Sequence, residues 1–166
     1  MKKVIFAIAA ALMALSCAKT QEPQQQPLEN SVVYEMNVRQ YTPEGTFAAA
    51  QQELPRLAEM GVDIVWLMPI YPIGVEGRKG TLGSYYAVKD YCAINPEFGT
   101  MEDFENFMAE CEKRDIHVIL DLVLNHSGSE HAWFKEAVSY LQGLEEGEEP
   151  NAEDCKYLDY YFFKKE

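Results

Sequence analysis

Apolar and polar positions along the chain mark three strand-like stretches separated by helical ones. The most apolar is Ile116 to His126 (IHVILDLVLNH), in which Val118, Ile119, Leu120, Leu122, Val123 and Leu124 are almost continuous and partly β-branched. That composition predicts a parallel strand covered on both faces. Ile119, Asp121, Val123 and Asn125 share one face of it. A carboxylate in such a run is costly unless a partner meets it, so Asp121 demands one. Val62 to Pro69 (VDIVWLMP) predicts a second buried strand. Val32 to Tyr41 (VVYEMNVRQY) predicts a first, with Glu35, Asn37 and Arg39 on its polar face.

Between the strands the period changes to that of helices. Thr46 suits an N-cap, and Phe47, Ala50, Leu54, Leu57 and Ala58 form a 3.6-residue stripe that ends at Gly61. Pro55 interrupts it and predicts a kink or a restart. Thr100 and Asp103 form a variant capping box ahead of Phe104, Phe107, Met108 and Cys111. A third helix is predicted from His131 to Gln142. The loop from Ile70 to Gly99 is long enough to imply a function of its own.

Strand, helix, strand, helix, strand is the order of parallel α/β units joined by right-handed crossovers. Three strands do not close a barrel, which takes about 250 residues. The outer strands would leave unpaired edges, and the aromatic run Tyr157 to Phe163 has no evident element to pack on. The pattern is that of the front part of a longer protein.

Composition narrows the partners. The 166 residues are 48% apolar and carry 14 Lys and Arg against 27 Asp and Glu, a net charge of −13. That balance disfavours nucleic acid and anionic membrane surfaces. At the N-terminus Lys2 and Lys3 precede an apolar run, Val4 to Leu15, too short to span a bilayer. Ala14-Leu15-Ser16-Cys17 resembles a lipoprotein cleavage box, with Leu one position nearer the Cys than usual. Residues 1–16 are therefore expected to be a signal peptide, Cys17 a lipidated N-terminus and 17–30 a polar tether, with 31–166 the partial barrel. Ordinary cleavage after Ser16 is the alternative. Both predict export, either lipid-anchored at the cell envelope or periplasmic or secreted. Cys92, Cys111 and Cys155 fit no zinc spacing, and Cys111 lies on a core stripe.

Four blocks in order carry a family resemblance. Asp121-Leu-Val-Leu-Asn125-His126 resembles the first signature block of the α-amylase family of glycoside hydrolases (family 13), at the end of barrel strand three. Gly61 to Pro69 resembles the family's second strand. Tyr86 to Tyr91, Ile94 to Pro96 and Phe98 to Thr100 resemble the segment leading to its second helix, and Val32 to Phe47 its first strand and turn. The resemblance implies an α/β fold comprising the first three strands of a (β/α)8 barrel, plus the start of the excursion after strand three.

The same resemblance implies roles. Tyr86 would offer its ring to a sugar and His126 would hydrogen-bond that sugar. Asp121 would support the active site, paired with a fourth-strand arginine outside this chain. Asn125 would be one ligand of a structural calcium. The implied substrate is an α-linked glucan, cut by double-displacement retention. Retention needs two carboxyls about 5 Å apart; the family's catalytic carboxylates come from strands four, five and seven, so none lies in this chain and the chain alone is expected to be inactive. A non-catalytic starch- or glycan-binding surface lipoprotein is the alternative. In place of the Gly that commonly precedes the stacking Tyr stand Ser84 and Tyr85, and Asp115 stands where the family usually has a helix-ending Gly.

Overall fold

The computed structural model describes residues 30–164. The expected signal peptide, the Cys17 lipidation and residues 17–29 of the tether lie outside them. The described chain folds as β1 (Val33–Met36), a single helical turn α1 (Val38–Tyr41), α2 (Phe47–Gln52), α3 (Leu54–Glu59), β2 (Ile64–Leu67), α4 (Met101–Glu112), β3 (His117–Leu120) and α5 (Ala132–Gly143). A 3-10 turn, Leu158–Tyr160, follows. The strands form one parallel sheet in the order β1-β2-β3, with Val33 opposite Ile64 and Ile64 opposite His117. This open sheet with its crossovers is the expected beginning of a barrel. Among the described residues no helix is long and apolar enough to cross a membrane.

Local chemistry explains most boundaries. Pro55 lies at the start of α3 and cannot donate to the preceding turn, so the stripe breaks into two helices at Glu53. At α4 the Thr100 hydroxyl accepts from Asp103 N (3.1 Å), and the Asp103 carboxylate accepts from Thr100 N (2.7 Å). The Thr100 N–H, and then the Thr100 hydroxyl donating to the same Oδ2 (2.7 Å), hold the Asp103 carboxyl below its ordinary pKa, and the reciprocal backbone bonds complete the predicted capping box. After α4 the chain turns through Asp115 at φ +55°, a left-handed position that suits glycine better than aspartate.

The core lies between the sheet and its helices. Phe47 packs against Phe98, Phe104 and Phe107 at centroid distances of 6.4, 5.3 and 5.5 Å. Leu54, Leu57, Val65 and Leu67 are fully buried with it. Each such side chain contributes about 1.5–3 kcal/mol relative to exposure. Cys111 belongs to this core, and burial pushes its thiol up to about 12.

Three expectations need correction. The first strand is less than half the predicted length: its pairing ends at Met36, Asn37 stays extended as the N-cap, and the chain turns helical from Val38, so Arg39 leaves the strand face shared by Glu35 and Asn37. The Ile116 stretch is a four-residue edge strand, paired on the β2 side only. Ile119, Leu120, Leu122 and Leu124 are exposed, Leu124 by 81%, because among the described residues no strand or helix covers them. The aromatic tail does find a partner. Tyr157 stacks on Trp133 of α5 at 5.4 Å, and Tyr161 meets Phe134 edge-on at 5.1 Å.

Candidate functional site

The long loop after β2 is built rather than loose. Ile73 bridges Val88, and Gly128 N donates to Val88 O at 2.7 Å, joining the loop to the segment after β3. A side chain at Gly128 would bring its Cβ to 2.9 Å from the Ala87 carbonyl, so the approach requires glycine. Glu130 locks the far side: its carboxylate accepts from the backbone N–H of Val75 and of Glu76 (2.8 Å) and faces Lys89 at 3.4 Å. The two backbone donors hold its carboxyl down to about 2, with Lys89 adding to them.

This frame presents Tyr86 to the end of β3. The Tyr86 hydroxyl donates to Asp121 Oδ2 at 3.1 Å. Desolvation, and then the Asp121 carboxylate, raise the pKa of the phenol, with Glu35 a smaller contributor. Asp121 lies just past the strand rather than within it: it follows β3 directly, half-buried, and has one partner inside this chain, the Tyr86 hydroxyl. Its backbone N–H still donates to Leu67 O, one step past the strand.

Asn125 and His126 follow on an exposed loop. Neither side chain makes a hydrogen bond among the described residues, so both donor sets are free for a ligand. The loop's backbone, by contrast, is pinned. The Tyr91 hydroxyl lies 2.6 Å from Val123 O and 3.0 Å from His126 O, donating to these carbonyls on either side of Asn125. Tyr91 in turn packs on His131 and Trp133. His131 caps α5 by accepting from Trp133 N at 3.2 Å, and burial lowers its pKa in favour of the neutral, accepting ring.

The structure thus joins Tyr86 to Asp121 and leaves Asn125 and His126 reaching outward beside them. Tyr91, Glu130 and His131 support the site through contacts that local sequence pattern does not signal. Only the Gly128-Ser-Glu130-His131 cluster just past the polar pair hints at them. Among the described residues no three His, Cys, Asp or Glu side chains are grouped to hold a metal. Asn125 offers one amide oxygen where calcium takes six to eight.

A family model described as "Alpha amylase, catalytic domain" matches residues 19–166. The chain belongs to the α-amylase family. Its relatives include the trehalose-6-phosphate hydrolase of Bacillus subtilis, 40% identical over 69% of this chain and 17% of the relative. The oligo-1,6-glucosidase of Bacillus cereus is 33% identical over 82% of this chain and 22% of the relative. Among solved structures, an α-amylase from Lactobacillus plantarum superposes with a TM-score of 0.65 at 42% identity, over 68% of this chain and 27% of that one. The α-amylase-family chain described here spans about a fifth of the length of these curated relatives.

Proposed function

We propose that this chain forms the sugar-positioning first part of an α-amylase-type catalytic barrel, in a glycoside hydrolase that acts on α-linked glucans with retention. The observation that carries the reading is the Tyr86–Asp121 hydrogen bond, which sets an aromatic ring beside the loop bearing the free Asn125 and His126 side chains. In this reading Tyr86 offers its ring to the C–H face of a pyranose. His126 hydrogen-bonds the same sugar, and Asp121 holds the Tyr86 hydroxyl and so the ring's orientation.

Catalysis itself is assigned to carboxylates outside this chain. Retention takes a nucleophile and an acid/base about 5 Å apart, and the family's three catalytic carboxylates belong to strands four, five and seven. The relatives' names range over a 1,6-glucosidase, a trehalose-6-phosphate hydrolase and an α-amylase. The reading therefore stops at α-linked glucans and leaves the linkage open. Asn125 enters as one ligand of a calcium ion completed from outside these residues. Equal calcium affinity before and after Asn125→Ala in the complete gene product would remove it.

The test is to titrate the 166-residue chain with maltoheptaose and assay it for reducing-sugar release. The expected result is binding weakened at least tenfold by Tyr86→Ala or His126→Ala, with no turnover. Turnover by this chain would sink the assignment of catalysis elsewhere. The complete gene product should hydrolyse the substrate; starch binding without hydrolysis by that product would instead establish a glycan-binding surface protein. Export rests on the N-terminal Lys2-Lys3 and apolar run, and anchoring on Cys17. Metabolic labelling with a palmitate analogue, lost in Cys17→Ser, separates lipid anchoring from simple cleavage.

A further inference from the structure

We propose that Arg39 is a positioning residue: its guanidinium, oriented by Glu97, clamps the Gly83–Tyr86 turn against the end of β1 and thereby sets the ring that Tyr86 presents to sugar. The proposal rests on the sugar-binding reading above and deepens it.

The geometry converges on this side chain from three directions. Nη1 donates to the Gly83 carbonyl at 3.4 Å, and Nη2 faces Glu97 Oε2 at 3.3 Å. The flat cation lies 5.4 Å from the Tyr85 ring and 5.9 Å from that of Phe98. Asn37, two residues earlier, donates from Nδ2 to the Tyr85 hydroxyl at 3.2 Å. Tyr85 and Tyr86 are themselves in ring contact at 5.4 Å. The path from Arg39 to Tyr86 and on to Asp121 is therefore unbroken. Gly45 passes close over the Arg39 backbone, where a Cβ would fall 2.7 Å from the Arg39 carbonyl oxygen.

The cost of this arrangement argues for a role beyond filling space. The Arg39 side chain is only 10% exposed, and its Nε–H is buried with no acceptor. A buried donor left unpaired is destabilising, and an apolar side chain of similar size would avoid it. A fork of N–H groups on a flat cation can grip a carbonyl, meet a carboxylate and lie over an aromatic ring at once. Neither an apolar side chain nor a lysine can do all three. Gly83 completes the clamp from the other side. It sits at φ +67°, and a Cβ there would approach Arg78 Cδ to 3.1 Å and Ile73 Cδ1 to 3.2 Å, so the turn that Arg39 holds favours glycine at this position.

The test follows Tyr86 directly. Carbon-13 NMR of ring-labelled tyrosine in the 166-residue chain, with the Tyr86 signal assigned by its loss in Tyr86→Phe, reports its chemical shift and its titration, which lies above the ordinary phenol pKa. In folded Arg39→Ala, checked by circular dichroism at the same pH, that titration is expected to fall back toward 10 and maltoheptaose affinity to drop at least tenfold. Arg39→Lys keeps the charge without the fork and should not restore either readout. Glu97→Gln, at a half-exposed position, should give a smaller shift in the same direction. An unchanged Tyr86 titration in folded Arg39→Ala overturns the proposal, as does full restoration by Arg39→Lys. Should Arg39→Ala not fold, an unchanged titration in Glu97→Gln overturns it instead. If the wild-type chain binds no maltoheptaose while the Tyr86 titration moves with Arg39→Ala, the positioning role stands and the sugar reading falls.

Discussion

Phe47 and Leu124 are both large apolar side chains in the same small fold, and their surroundings could hardly differ more. Phe47 is fully buried among three other phenylalanines, where α2 and α4 cover the sheet. Leu124 stands 81% exposed past the free edge of β3. The difference shows that stability is concentrated on the helical side of β1 and β2. The β3 side is a surface of the right composition for burial that no described residue covers. In a closed barrel a fourth strand would pair with that edge. The site lies at the seam between these regions: Tyr86 comes from the loop anchored on the packed side, while Asn125 and His126 come from the exposed one.

Substitutions test this contrast. Phe47→Ala should be the most damaging, costing about 3–5 kcal/mol as a cavity in a close-packed cluster, read from the urea midpoint followed by circular dichroism. A loss below 1 kcal/mol would mean the packed side is not where stability resides. Tyr91→Phe should cost about 1–2 kcal/mol, because it strips the donor from two carbonyls of the exposed loop. Faster hydrogen exchange should appear around residues 123–126 and leave α4 unchanged.

Acid should act locally. Glu130 has its carboxyl held down to about 2, against an ordinary value of 4.5, so its clamp stabilises the fold above about pH 4.5 and is lost as pH falls through about 2. Proteolytic cutting between residues 73 and 84 by an acid-active protease should rise over that window. In Glu130→Gln the same cutting should already be present at pH 5. Leu124→Ser should change stability by less than about 0.5 kcal/mol while reducing aggregation on concentration. A large destabilisation there would show that β3 is covered in solution.

Legibility in the sequence followed the range of the interactions. The Thr100–Asp103 cap, the break at Pro55 and the turn at Gly61 depend on residues within one or two helical turns, and each stands where the local pattern placed it. The parallel order was readable from the alternation of strands and helices, whereas Tyr86, Asp121, Asn125 and His126 stand out only because four family blocks occur in sequence. What escaped depends on distant partners. The early end of β1 coincides with Asn37 reaching the Tyr85 hydroxyl, 48 positions away. The partner of Asp121 lies 35 positions back, in a loop whose path no periodicity announces. The exposure of the Ile116 stretch has a different reason: apolar composition records suitability for a cover, not the presence of one. The packing of the aromatic tail is hidden in the sequence because Trp133 and Phe134 make a platform only once α5 has formed.

The order of the sheet carries one last consequence. Strands β1, β2 and β3 lie side by side in the order in which they are synthesised, and the crossover helices α2 and α4 pack on each other. Each new unit can therefore dock on a finished neighbour as the chain emerges, without waiting for a distant segment to return. The surface presented at any moment is the last strand added. Among the described residues that strand is β3, and its open edge is where a further strand would dock.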